Sequence, residues 1–345
     1  MRTPPSSARP EGAWARVLAD NELGSLQPIY DGGIPQLAGL SLPRRDLYPR
    51  RYLFDAVVTS KGCPHRCEFC SVRRIYGGRY QTRPVGEVLD ELSETRSRFI
   101  FFVDDNLTAN RRRAIDLCRG MVERRLGKHF AIQTSLEVGQ DEELLVWLRQ
   151  AGCFLVFVGI ESTEESTLRR LRKSSNLRLG VERYGEAIAG IQRHGMAVSA
   201  GIIFGDDEDT LETFRSLEAF VGESMVDSPV YTILTPTPGT DLWQRLESAG
   251  RLRLPELPQG YALFDDHHAL FEPARMSTAE LQSASRAAVR RATSVAALAR
   301  GVVGTWRRTG SLLATLAALQ NNRWARASLR SQAHADRIAT TWKTA

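Results

Sequence analysis

The 345-residue sequence predicts an α/β protein, a partial (β/α)6 TIM-type barrel followed by a mostly helical C-terminal extension. Two observations carry this expectation. Six short apolar runs alternate with longer amphipathic segments between residues 54 and 236, and polar residues gather directly after the runs. Fully apolar strands separated by amphipathic helices indicate a parallel sheet covered on both faces. Six such units suit a barrel or partial barrel better than a short open sheet.

Residues 1–50 are rich in Pro and Gly and read as an extended lead-in with one helical stretch, "EGAWARVLADNELG". The barrel is expected over 51–240. Its strands are "FDAVVTS" (54–60), "RFIFFVDD" (98–105), "FAIQTSLEV" (130–138), "FLVFVGIES" (154–162), "AVSAGIIFG" (197–205) and "SPVYTILTP" (228–236). Helices are expected near 84–96, 109–125, 141–151, 164–172, 179–194 and 207–220. Residues 241–300 form the extension, opening with the helical "TDLWQRLESAGRL" and passing through the irregular "YALFDDHHALFEP". Residues 301–345 form a basic helical tail.

Composition narrows the class. Hydrophobic residues make up 42% of the chain and charged residues 25%, ordinary values for a soluble globular protein. No apolar run is long enough for a membrane span, and the N-terminus lacks the apolar core of a secretory signal. Five cysteines, three of them clustered, fit a reducing cytoplasm rather than a disulfide framework. Residues 276–345 hold eleven Lys/Arg and two Asp/Glu, a net +9 that leaves −3 for the rest of the chain. The basic tail reads as a solvated helical face, with peripheral contact to an anionic membrane as its alternative. Nucleic acid is not an expected partner, because the chain has no RNA-binding aromatic motif.

The cluster is "CPHRCEFC", with Cys63, Cys67 and Cys70 in a C-x3-C-x2-C spacing directly after the first strand. Thiolates at these offsets can wrap a loop around one soft metal centre. A cubane iron–sulfur cluster is commonly held by four cysteines, so three leave one iron with an open coordination position. An open position separates a catalytic metal site from a structural one. Zinc with His65 as fourth ligand is the alternative.

The motif, placed at the C-terminal end of a first barrel strand, resembles that of the radical S-adenosylmethionine (SAM) enzymes. The resemblance implies a [4Fe–4S] cluster on Cys63, Cys67 and Cys70, with SAM chelating the open iron. It also implies a 5′-deoxyadenosyl radical that abstracts a substrate hydrogen, and a reductant such as flavodoxin or ferredoxin. The segments "RYQTRPVGEVLDEL", "FIFFVDDNLT", "VGIES" and "GIIFGDDEDTLETF" look like landmarks of the branch usually found with a cobalamin-binding domain. "PVYTILTPTPGTDLWQRLESAGRL" and "FEPARMSTAEL" resemble the C-terminal extension of that branch.

Site residues follow from the resemblance. Phe69, just before the third cysteine, is expected near the adenine. Asp104, Asp105 and Asn106 are expected near the amino group of SAM. Glu161 ends an otherwise apolar strand, where a carboxylate is costly to bury unpaired. A ribose diol would be its natural partner, with Ser162 beside it. Gln133, Ser135 and Gly205 complete the expected SAM contacts. Arg79, Tyr80 and Arg83 are expected to brace the cluster loop, Cys118 and Cys153 to sit in the core, and Asp265 to His268 to form a surface turn. Only 62 residues precede Cys63 and no D-x-H-x-x-G motif occurs, so the cobalamin domain is expected to be missing from this chain. That puts cobalamin use in question and leaves the substrate, a small molecule of natural-product or lipid type, unidentified; the alternatives are a cobalamin-dependent methyltransferase whose cobalamin domain is missing or supplied in trans, and a non-catalytic truncated iron–sulfur protein. The expected compartment is cytoplasmic.

Overall fold

In a computed structural model, residues 10–30, 32, 36–50, 52–254 and 259–341 are described. The first nine residues of the lead-in and the last four of the basic tail lie outside them. The element order is α1 (Pro10–Glu22), β1 (Phe54–Val57), β2 (Ser60–Lys61), α2 (Ser71–Tyr76), β3 (Gln81–Thr82), α3 (Val85–Glu94), β4 (Phe99–Phe102), α4 (Arg111–Glu123), β5 (His129–Thr134), α5 (Glu142–Ala151) and β6 (Cys153–Glu161). There follow α6 (Glu165–Arg170), α7 (Ser174–Leu179), α8 (Tyr184–Arg193), β7 (Ala197–Phe204), α9 (Leu211–Glu223), β8 (Ser228–Ile233), α10 (Asp241–Ser248), α11 (Thr278–Ala292), α12 (Val295–Thr309) and α13 (Leu312–Thr341).

All six expected strands form. They pair in the order β1-β4-β5-β6-β7-β8, every pair parallel, and β1 does not meet β8. This is the partial barrel that the alternation of apolar runs and helices dictates. Side chains on a strand alternate between faces. Ile100, Phe102, Phe130, Ile132, Val156, Val158, Val198 and Ala200 point to the helix layer and are buried. They pack there against Val88 and Leu92 of α3, Leu117 of α4 and Ile188 of α8. Burying each large apolar side chain contributes about 1.5–3 kcal/mol, which makes this layer the main source of stability. The opposite parity, including Phe99, Phe101, Gln133, Phe157 and Ser199, faces the lumen.

Two details differ from the sequence reading. The helix expected at 164–172 ends at Arg170, and a separate short helix, α7, follows it. The break comes at Arg172, whose φ of +53° is left-handed and cannot continue a right-handed helix. The basic tail begins as two helices: α12 is closed by Gly310 (φ +59°), and α13 runs back across the lumen. Its Ala314 and Ala318 pack on Ala197 and Leu155. No helix among the described residues is long and apolar enough to cross a membrane.

Candidate active site

The cluster loop leaves the antiparallel pair β2–β3 at Gly62 and ends at α2. Gly62 has φ +86°, and a Cβ there would lie 1.9 Å from the carbonyl oxygen of Arg79, so only glycine fits. The loop is anchored from below by the acidic residues after β4. Asp104 is fully buried. Its carboxylate accepts four hydrogen bonds: Thr59 N (2.6 Å), Thr59 Oγ1 (2.5 Å), Ser60 N (3.1 Å) and Ser60 Oγ (2.9 Å). Burial pushes its carboxyl pKa up, against the pull of those donors. Asp105 accepts from the Gly62 N–H at 2.8 Å, and burial raises its pKa too. Arg83 braces the same strand end, its N–H on Thr59 O (2.9 Å) and its guanidinium on Val58 O (2.9 Å).

Cys63, Cys67 and Cys70 are free and partly buried. Burial raises all three thiol pKa values, that of Cys67 to about 11, and the neighbouring thiols add to this at Cys67 and Cys70. Lys173 opposes that rise at each cysteine. Its ammonium, 13% exposed, donates to Glu161 Oε1 at 2.5 Å. Burial works against charge on Lys173, but Glu161, Cys67 and Cys70 outweigh it and raise the pKa, so the lysine stays cationic. Three thiols beside one held cation suit a cluster bound through three thiolates, whose net negative charge the lysine would offset. Among the described residues no three His, Cys, Asp or Glu side chains gather tightly enough for a lone metal ion. His65, the alternative zinc ligand, has Nε2 at 3.2 Å from Ser135 Oγ.

Glu161 is strained. Its φ is +63° and it sits at a bulge in the β6–β7 pairing, a conformation that costs a non-glycine residue about 1–2 kcal/mol. The bend folds its carboxylate back over the inner wall. A Cβ on Gly159 would meet Glu161 Oε1 at 2.2 Å and Lys173 Nζ at 2.5 Å. Asn106 bridges the next strand end, donating to Ser135 Oγ at 3.0 Å, and its side chain works against the rise in the Cys63 pKa. Thus Asp105, Asn106, Ser135 and Glu161 surround the cysteine loop. Ser162 is buried beside Glu161, its Oγ accepting from Glu164 N at 3.0 Å. Phe69 packs outward against the apolar cluster around Phe204 and Leu242. Gly205, φ +106°, is covered by Phe271 and Leu281 of the extension. Gln133 lies apart, on the lumen wall. Cys118 and Cys153 are buried in the core. Asp265 holds His268 through Nδ1 at 2.9 Å, and the Asp266 carbonyl caps Ile233 N at 2.7 Å, which docks this turn on the end of β8.

Two functional groups were not legible in the sequence. Lys173 read as one more charge in "RRLRKSS", since nothing in a basic run marks which member is buried. Glu68, inside the cysteine motif, is buried and bound by Arg245 of α10 at 2.7 Å, and Arg245 also binds Asp207 at 2.7 Å. Leu242 N completes the clamp on Glu68 O at 3.1 Å. The partners stand 177 residues apart, so no local pattern reveals them.

A parallel partial barrel with three thiols on the loop after its first strand, and a carboxylate–lysine pair at the rim opposite, defines a radical SAM fold. Residues 57–221 match the radical SAM superfamily, whose cofactors are a [4Fe–4S] cluster and SAM, so the chain carries a radical SAM domain. Among curated proteins it is 33% identical over 210 residues to the hopanoid C-2 methylase of Rhodopseudomonas palustris, covering 59% of this chain and 39% of the methylase. It is 27% identical over 287 residues to the bacteriochlorophyllide d C-12(1)-methyltransferase of Chlorobaculum tepidum, covering 79% and 60%. The chain therefore spans less than two thirds of either relative. The fold matches the radical SAM methyltransferase TsrM of Kitasatospora setae, solved with cobalamin and a [4Fe–4S] cluster, with a TM-score of 0.59 and 18% identity over 80% of this chain and 61% of TsrM.

Proposed function

We propose that this chain is the catalytic core of a radical SAM enzyme acting on an apolar substrate of natural-product or lipid type. The observation that carries the reading is the rim itself: three half-buried thiols on a loop strapped down by Asp104 and Asp105, with the Lys173–Glu161 pair alongside. A [4Fe–4S] cluster on Cys63, Cys67 and Cys70 would supply the one-electron reduction of SAM that sets up hydrogen-atom abstraction from the substrate. The protein's own residues hold and orient. Cys63, Cys67 and Cys70 hold the cluster, losing their protons as metal binds. Lys173 balances thiolate charge. Asp105, Asn106 and Ser135 offer acceptors and a hydroxyl to an amino-acid head group, and Glu161 offers a carboxylate to a diol. The electron comes from a flavodoxin- or ferredoxin-type reductant.

Methyl transfer is the second reading. It is favoured by the methylase and methyltransferase relatives and by the likeness in fold to TsrM, which was solved with cobalamin. The test is anaerobic reconstitution with iron and sulfide, followed by dithionite and SAM. About four irons per chain with 5′-deoxyadenosine formed, and both lost in Cys67→Ala, is the expected result. A loaded cluster that leaves SAM intact would overturn the reading.

A further inference from the structure

The lumen holds a cavity of about 790 Å³, within the size range of small-molecule sites. One wall is the inner face of β4 to β7. The other is α13, which presents Leu313, Leu316, Ala317, Gln320 and Trp324 to it. These positions recur at three- and four-residue intervals, so they form one helical face. The strand wall alternates from strand to strand between aromatic side chains (Phe101 of β4, Phe157 of β6) and small ones (Ala131 of β5, Ser199 of β7), which leaves a slot rather than a packed core. Tightly packed interiors do not leave such a volume between a sheet and its covering helix.

Register fixes the slot's relation to the site above. Gln133, Phe157 and Ser199 are aligned across β5, β6 and β7. The next layer up is Gly159 paired with Gly201, two residues without side chains. Glu161 and Lys173 fold down onto that layer from the rim. Glu161 pairs with Ile202, three residues beyond Ser199, so at about 3.3 Å per residue the Gln133 layer lies roughly 10 Å below it. The Phe157 ring lies against the glycine layer, 3.2 Å from where a Gly201 Cβ would stand. At the far end the slot opens between Phe54, Leu53, Leu316 and Trp324, all exposed. Among its lining residues, the half-buried amides of Gln133 and Asn321 have no hydrogen-bond partner among the described residues. An apolar slot with two unpartnered amides suits a rigid apolar ligand carrying a polar group.

We propose that this slot binds the body of a polycyclic apolar substrate, aligned along the strands so that one edge reaches the glycine layer beneath Glu161. This rests on the apolar-substrate reading above and adds where that substrate lies. The test needs neither cluster nor SAM. A pentacyclic triterpenol delivered from cyclodextrin is titrated into the purified chain, and intrinsic tryptophan fluorescence is followed, with Trp324→Phe identifying the reporter. Saturable quenching carried by Trp324 is expected. Ala317→Phe, which fills the slot, and Leu316→Asp, which alters only its exposed mouth, should each weaken binding tenfold or more. Binding that is indifferent to both variants would overturn the location while leaving an apolar substrate in place. No saturable binding of the triterpenol, nor of a metal-free chlorin used as second probe, to a chain that remains folded by circular dichroism would overturn both.

Discussion

At the rim, the carboxylate of Asp104 takes four hydrogen bonds, whereas on the same sheet's inner wall the amide of Gln133 takes none among the described residues. The rim is a braced structure. Asp104, Asp105, Arg83, Glu68 and Arg245 each satisfy backbone or side-chain partners that would otherwise let the cysteine loop drift. In the lumen, polar atoms stand in an apolar slot with nothing to hold. The contrast separates positioning from recognition. Groups that fix a cofactor loop have their partners within the fold, and groups that would recognise a ligand leave theirs to be supplied.

Breaking the braces should show the difference. Asp104→Asn replaces an acceptor for four donors by a group that must turn an NH2 toward two of them, and should cost about 3 kcal/mol by guanidinium unfolding. It should also reduce iron retention after desalting. Asp209 tests the cost of rim charge. Its carboxylate accepts from Gly205 N (2.7 Å) and Asp206 N (3.0 Å), yet burial raises its pKa to about 6. Because the folded value lies above the unfolded one, the stability present below about pH 4 is lost as pH rises through 6. Asp209→Asn removes that loss. Its stability relative to the unsubstituted chain should rise by on the order of 2 kcal/mol between pH 4 and 7, then stay level.

Smaller effects sharpen the comparison. Arg245→Met leaves Glu68 buried without its cation; with Arg245 one third exposed, the expected cost is about 1.5 kcal/mol. Glu161→Gly and Glu161→Ala both delete the carboxylate, but only glycine accepts φ +63° freely, so the glycine variant should be the more stable by about 1 kcal/mol. Gln133→Leu should change stability by less than about 0.5 kcal/mol, since no hydrogen bond is lost. A large loss there would mean that the lumen is braced like the rim.

The sheet was legible because its strands are mostly apolar runs between amphipathic helices, a pattern that survives without knowledge of the partners. The cysteine loop was legible because its ligands are contiguous. Gln133 and Ser135 show the limit. Two residues apart, they share a strand face by parity, and both were expected at the rim. The strand ends at Thr134, so Ser135 leaves it to meet Asn106 and His65 while Gln133 stays on the wall below. Lys173 and Arg245 were hidden for another reason. Their importance comes from burial and from partners elsewhere in the chain, which composition does not encode.

The Glu68–Arg245 clamp has a thermodynamic corollary. Free-energy coupling between two sites is symmetric. If α10 and Arg245 lower the cost of ordering the cysteine loop for metal, then metal must stabilise α10 by the same amount. Loading the cluster should therefore slow amide hydrogen exchange along Asp241–Ser248, in a helix that contributes no ligand. The rest of the extension, held to α10 through Arg251 and Glu272, would share in that protection. A cofactor bound near the chain's first strand would then set how tightly its C-terminal extension is closed.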